Sequence, residues 1–186
     1  RDLKYVYYYV LPPLETFQIG WICALPTETA VAKEMLDENF GILDRLKRLN
    51  TYTLGRIGKH QVAIACLPGG QYGTTSATSV ANNMVRTFSK SLWFGLMVGV
   101  GSEIPSAAHD IRLGDVVISY PEGTSGGVLQ YDMGRVGTNG EFQETGSLNS
   151  PLMALLTATN LCTGNGVPCG FLCSGRQKCH TVSNHQ

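Results

Sequence analysis

Apolar residues fall into short continuous runs and one helical stripe, and the two patterns predict different elements. The strongest run spans Leu92 to Pro105, LWFGLMVGVGSEIP. It is about a strand long, lacks polar alternation and empties into Gly99 and Gly101, the pattern of an inner parallel strand covered on both faces. A membrane span would need roughly twice that length. Ligands in open α/β sheets collect beyond the carboxyl ends of strands, where glycine lets backbone come close. A lone GxG is weak evidence, so spacing alone leaves an ordinary strand exit equally open.

Other runs extend the pattern. FQIGWICA (17–24) predicts a first strand, and PTETAVAKEMLDE after it predicts a helix that Pro26 can open. Glu28 then falls in that helix's first turn, where a carboxylate offsets the helix dipole whether or not it has a function. Residues 39–51 read as a solvated connection. TYTLGRI and HQVAIACL, separated by Gly58-Lys59, predict a hairpin with a two-residue turn. PGGQYGTT is a second glycine-rich strand exit, with Thr74 or Thr75 placed to cap the next helix. Ala77, Val80, Ala81, Met84, Val85 and Phe88 give that helix one apolar face. A helix between two strands implies parallel neighbours joined by a right-handed crossover. Farther on, Val116–Ser119 and GVLQYDM predict short strands and GRVGTNGE a polar turn. PLMALLTAT predicts a brief helix capped by Ser150 with Pro151 at its first position. No fixed-period repeat is visible.

Composition narrows the class. A chain of 186 residues suits one domain. Lysine plus arginine equals aspartate plus glutamate at 14 each, so net charge draws it neither to nucleic acid nor to an anionic membrane. RDLKYVYYYVLPP lacks the clean apolar core and cleavage site of a signal peptide, so a cytoplasmic fragment is expected, with its true start missing. Cys23 and Cys66 sit singly in apolar runs, as reduced core cysteines do. Cys162, Cys169, Cys173 and Cys179 crowd a tail without apolar periodicity. With His180 they fit no well-attested zinc spacing, so no metal is expected.

Four stretches in order, IGWICALPTE, TYTLGRIGKHQVAIACLPGGQYGTTSA, GLMVGVGSEIPS and DIRLGDVVIS, resemble the nucleoside phosphorylase and nucleosidase family. The match is closest to the version at the amino terminus of large fungal receptor-like proteins. It covers roughly Phe17 to Asn160 and only the family's amino-terminal half. The resemblance implies a truncated three-layer α/β fold around a mixed central sheet. Residues 1–16 are then a non-core extension, 17–160 a partial phosphorylase-like domain, and 161–186 a disordered or non-native tail.

It also implies cleavage of the bond between ribose and a purine. That chemistry needs a protonated leaving base, a nucleophile and a hold on the ribose hydroxyls. In the nucleosidase branch a glutamate after the first strand positions the attacking water, and IGxxxAxxxE aligns Glu28 with it. Gly99, Val100, Gly101 and Ser102 align with the loop that lines base and sugar. The phosphorylases hold phosphate with an arginine in the first loop and further ligands around the central loop. Here ALPTE has no arginine and the central positions are Met97 and Val100, neither an anion ligand. Water is the expected nucleophile, a purine nucleoside or nucleotide the expected ligand, and no cofactor is called for. The family's ribose-binding methionine–glutamate motif and catalytic aspartate belong to the half beyond the resembling segment. A non-catalytic ligand-sensing or interaction domain is the alternative, and a homo-oligomer and carboxyl-terminal receptor domains are the partners left open.

Overall fold

Five consecutive buried residues, Ile19–Cys23, form β1, and the first sheet assembles around them. The computed structural model describes residues 11–43, 50–102, 113–121, 125–164 and 179–182. The chain divides into two compact units, 1–102 and 103–186, where one domain was expected. In the first unit β1 is followed by α1 (Pro26–Glu34), β2 (Glu38–Leu43), β3 (Tyr52–Ile57), β4 (His60–Cys66), α2 (Thr74–Thr87) and β5 (Phe94–Met97). The strand order is β2-β3-β4-β1-β5. β1 runs parallel to β4 and β5, while the β2-β3 and β3-β4 pairs are antiparallel.

The two helices cover opposite faces. Gly20, Ala63 and Leu54 are in register across β1, β4 and β3 and share one face, and a Cβ on Gly20 would collide with the Met84 sulfur of α2. Gly55, one residue on from Leu54, points the other way, where a Cβ would meet Leu36 just after α1 at 2.5 Å. Helix, mixed sheet and helix make three layers, as expected. The core lies on the α2 face. Phe88 packs at 5.8 Å from Phe17 and edge-on at 5.1 Å from Tyr52, and all three side chains are buried. Leu11 and Leu14, upstream of the predicted first strand, also pack against this core, and Ser91 Oγ donates to Leu14 O at 3.0 Å.

Several expectations need correction. The Leu92 run is not an inner strand. Among the described residues β5 is the four-residue edge of the sheet, alternately half-buried and exposed, because β1 takes the place between β4 and β5. The α2 crossover therefore joins two strands that are not neighbours and packs over β1. Glu38, expected at the end of the preceding helix, and residues 39–43, expected in a solvated connection, form β2 (Glu38–Leu43). A bulge between Asn39 and Gly41, with Gly41 at φ 94°, hides the strand's alternation. Residues 44–49 of that stretch lie outside the described residues. On α2, Val80, Met84 and Phe88 are buried but Val85 is 55% exposed. Gly73, at φ 95°, is the N-cap and neither Thr74 nor Thr75 caps, since a glycine able to take that conformation precedes them.

In the second unit β6 (Val116–Ser119) lies parallel to β9 (Cys179–Val182), so this part of the tail is a paired strand. β7 (Leu129–Val136) and β8 (Phe142–Ser147) form an antiparallel hairpin closed by Gly137 N–H to Glu141 O at 2.8 Å. The turn expected at 134–141 is tighter than predicted, because Gly134–Val136 continue β7. α3 (Met153–Gly164) begins two residues beyond Pro151 and runs past Asn160. Among the described residues no helix is long and apolar enough to cross a membrane.

Candidate functional site

The parallel register brings three strand exits to one edge of the sheet. Cys23 pairs with Cys66 and Ile22 with Met97, so β4, β1 and β5 end side by side. The ladder continues past them: Leu67 N–H donates to Cys23 O at 2.9 Å and Val98 N–H to Ile22 O at 3.0 Å. Glu28, Gly69-Gly70 and Gly99-Gly101 thus follow strands that finish together, the arrangement inferred from the sequence.

Glu28 is the third helical residue of α1, which Pro26 opens. From there its side chain folds back over its own turn. Oε2 accepts from Ala24 N–H at 2.8 Å and Leu25 N–H at 2.9 Å. The Leu25 bond is half of a capping box; leucine, with no side-chain oxygen, cannot supply the other half. Oε1 accepts from Val100 N–H at 2.9 Å, across 72 positions of sequence. One carboxylate therefore ties the β1–α1 turn to the loop after β5. Burial disfavours its charge, yet the amides of Val100, Leu25 and Ala24 outweigh burial and hold the carboxyl below the usual glutamate range.

The other predicted residues divide around this contact. Gly99 leaves room for it, since a Cβ there would sit 2.7 Å from Glu28 Oε1. Val100 contributes its amide while its side chain is 84% exposed. Gly101 and Ser102 are exposed, and a Cβ on Gly101 would meet nothing within 4 Å. Sequence reasoning missed the amides of Ala24 and Leu25. A Pro at the first helical position with Glu two residues later was the available signal. Carboxylate oxygens offer about four acceptor sites. Three are taken, which leaves one on Oε1 to orient a single donor such as water.

Cys23 lies under this turn. Burial pushes its thiol up; the Thr29 hydroxyl and Trp21 indole work weakly against that, and charge on Glu28 or Cys66 adds to it. Trp21 Nε1 is itself buried without a hydrogen-bond partner, near the sulfur but not seated on it. Among the described residues no three His, Cys, Asp or Glu side chains gather as a metal site. Cys169 and Cys173 lie outside the described residues, and so do residues 1–10 of the amino-terminal extension.

A three-layer α/β unit around a mixed five-stranded sheet is the fold of solved nucleosidases. Solved structures bear this out. The 5'-methylthioadenosine/S-adenosylhomocysteine nucleosidase of Helicobacter pylori superposes with a TM-score of 0.58 at 15% identity, over 89% of this chain and 63% of that one. Futalosine hydrolase of the same bacterium gives 0.57 at 15% identity, over 89% and 63%. A nucleosidase from Colwellia psychrerythraea, solved with adenine, gives 0.52 at 18% identity, over 89% and 60%. In sequence, the chain is 52% identical over 146 residues to a nucleotide-binding leucine-rich repeat (NLR)-like protein of Hyaloscypha variabilis. That match takes in 77% of this chain but 14% of the relative. Compared with models of known protein families, the chain matches none.

Proposed function

We propose that the intact gene product cleaves the N-glycosidic bond of a purine nucleoside or nucleotide with water, and that Glu28 orients that water. The observation that carries this is the carboxylate itself: charged, buried at the shared strand exit, and held by three amides that leave one acceptor site on Oε1. Hydrolysis rather than phosphorolysis follows from the loops. Ala24-Leu25, Leu67–Gly73 and Val98–Ser102 contain no lysine or arginine, and Met97 and Val100 stand exposed where an anion ligand would be needed. A partly desolvated phosphate would lack charge-assisted donors there. Gly99, Val100, Gly101 and Ser102 would line the base and sugar with backbone. The general acid and the ribose clamp would come from sequence other than these three exits.

The NLR-like relative supports a second possibility, a nucleoside-sensing domain that binds without turnover. One assay separates them. The intact gene product is given adenosine or 5'-methylthioadenosine with and without phosphate, and free base and sugar products are measured beside calorimetric binding. The first proposal expects free base without phosphate and, from the misplaced water, a loss of roughly 10²-fold in Glu28→Gln. Phosphate-dependent release with ribose 1-phosphate would overturn it. Binding without any product would select the sensing role.

A further inference from the structure

Two thiols stand side by side at the same sheet edge. Cys23 closes β1, Cys66 closes β4, and the two are register partners in a parallel pair. Partners in register on adjacent parallel strands point to one face. Neighbouring strands lie about 4.8 Å apart, inside the roughly 4.4–6.8 Å between Cα atoms that disulfides span. The Leu67 to Cys23 backbone bond carries the ladder one step beyond the pair and fixes this register. Both cysteines are free; Cys23 is fully buried and Cys66 partly exposed. A buried lone cysteine would be an inert core residue. Here a second thiol stands beside it with a path to solvent.

We propose that Cys23 and Cys66 form an oxidisable dithiol that a peroxide closes to a disulfide, locking together the strand exits that carry the Glu28 turn. The partly exposed Cys66 meets the peroxide first. Its sulfur attacks one peroxide oxygen, the O–O bond breaks, and Cys66 sulfenic acid and one water form. The Cys23 sulfur then attacks the Cys66 sulfur. The S–O bond breaks, and the hydroxyl leaves as a second water with the Cys23 proton. Two thiols lose two electrons and one hydrogen peroxide becomes two waters. The position of the bond matters because Ala24, next after Cys23, supplies one amide to Glu28 Oε2. The dithiol stands apart from the nucleosidase proposal and holds whatever the chain catalyses.

The test needs only the purified chain. Trypsin releases Cys23 in peptide 5–33 and Cys66 in peptide 60–86, each holding one of the six cysteines. Folded and urea-unfolded samples are treated with hydrogen peroxide, alkylated, digested without reductant and analysed by mass spectrometry. In the folded chain the 5–33/60–86 cross-link should exceed every other cysteine pairing, vanish with dithiothreitol and be absent from Cys66→Ser. In the unfolded chain pairing should spread over all six cysteines. Three results would overturn the proposal: Cys66 oxidised to sulfinic acid while Cys23 stays alkylatable, both cysteines unchanged at peroxide doses that oxidise the tail cysteines, or Cys66 joined mainly to a tail cysteine.

Discussion

Replacing Glu28 by glutamine removes a charge, keeps the size and tests the clamp directly. The carboxylate accepts three N–H bonds, and bonds to a charged group contribute about 1.5–3 kcal/mol each against about 0.5–1.5 for neutral ones. The amide oxygen can take the place of Oε2 and keep Ala24 and Leu25 as neutral bonds, but its NH2 then confronts the Val100 N–H, donor against donor. The opposite flip loses two bonds instead of one, so the first is favoured. Weakening two bonds and losing a third would cost several kcal/mol. Water can reach the amide of exposed Val100, and the charge no longer has to be buried, so the net loss falls to about 2 kcal/mol. In a unit of about 100 residues that lowers Tm by roughly 8–16 °C.

The pH dependence gives the claim a sign. The Glu28 carboxyl is held below its ordinary value in the folded chain. Its stabilisation is therefore fully present above the unfolded carboxyl range, near pH 4.3, and is lost as pH falls through the lower folded value. Urea melts of wild type and Glu28→Gln should differ most at neutral pH and converge in acid. A gap that stays constant or widens on acidification, or variants equal within about 0.5 kcal/mol at pH 7, would refute the clamp.

Gly99→Ala should destabilise by about 1–3 kcal/mol, because its Cβ would lie 2.7 Å from Glu28 Oε1, and the carboxylate is held by three amides, one on Oε1 and two on Oε2; Gly101→Ala, whose Cβ meets nothing within 4 Å, should stay within about 0.5 kcal/mol in the same urea titration. Phe88→Ala should cost about 3–5 kcal/mol by chemical denaturation, since it empties the space against Phe17 and Tyr52. The neighbouring Val85→Ala, on an exposed side chain, should move stability by less than about 1 kcal/mol.

Periodicity reaches what a single element decides for itself. Pro26 opens α1, the stripe through Val80, Met84 and Phe88 turns α2 onto the sheet, and Gly58 makes the β3–β4 turn at φ 57°. Strand order depends on partners far away in sequence. The Leu92 run is apolar enough for an inner strand, yet β1 lies between β4 and β5, with Gly20 leaving room for Met84 of α2 over it. β2 and β8 escaped notice for a related reason. A bulge breaks the alternation of β2, and β8, FQETGS, holds a single apolar residue, so neither shows the alternation that marks a half-buried strand. At the site, the resemblance singled out Glu28 and the 99–102 loop, but their direct bond joins residues 72 positions apart and no local pattern encodes it.

A carboxylate that only offset the dipole of α1 would need its own first turn and nothing more. Glu28 takes two amides from that turn and a third from the loop after β5, so it sets the spacing between two strand exits as well as capping a helix. The same bonds shape what chemistry it can do. Each amide donated to the carboxylate lowers its basicity, so Glu28 is better suited to fixing the position of a water than to removing its proton. Positioning alone is a substantial contribution when the transition state is an oxocarbenium ion, because a cationic sugar carbon needs an aligned nucleophile more than a strongly basic one. Clamping and the proposed catalysis are therefore compatible demands on this side chain, and they separate experimentally: loss of the clamp would appear in stability and its pH dependence, while loss of an oriented water would appear only in turnover by protein that is still folded.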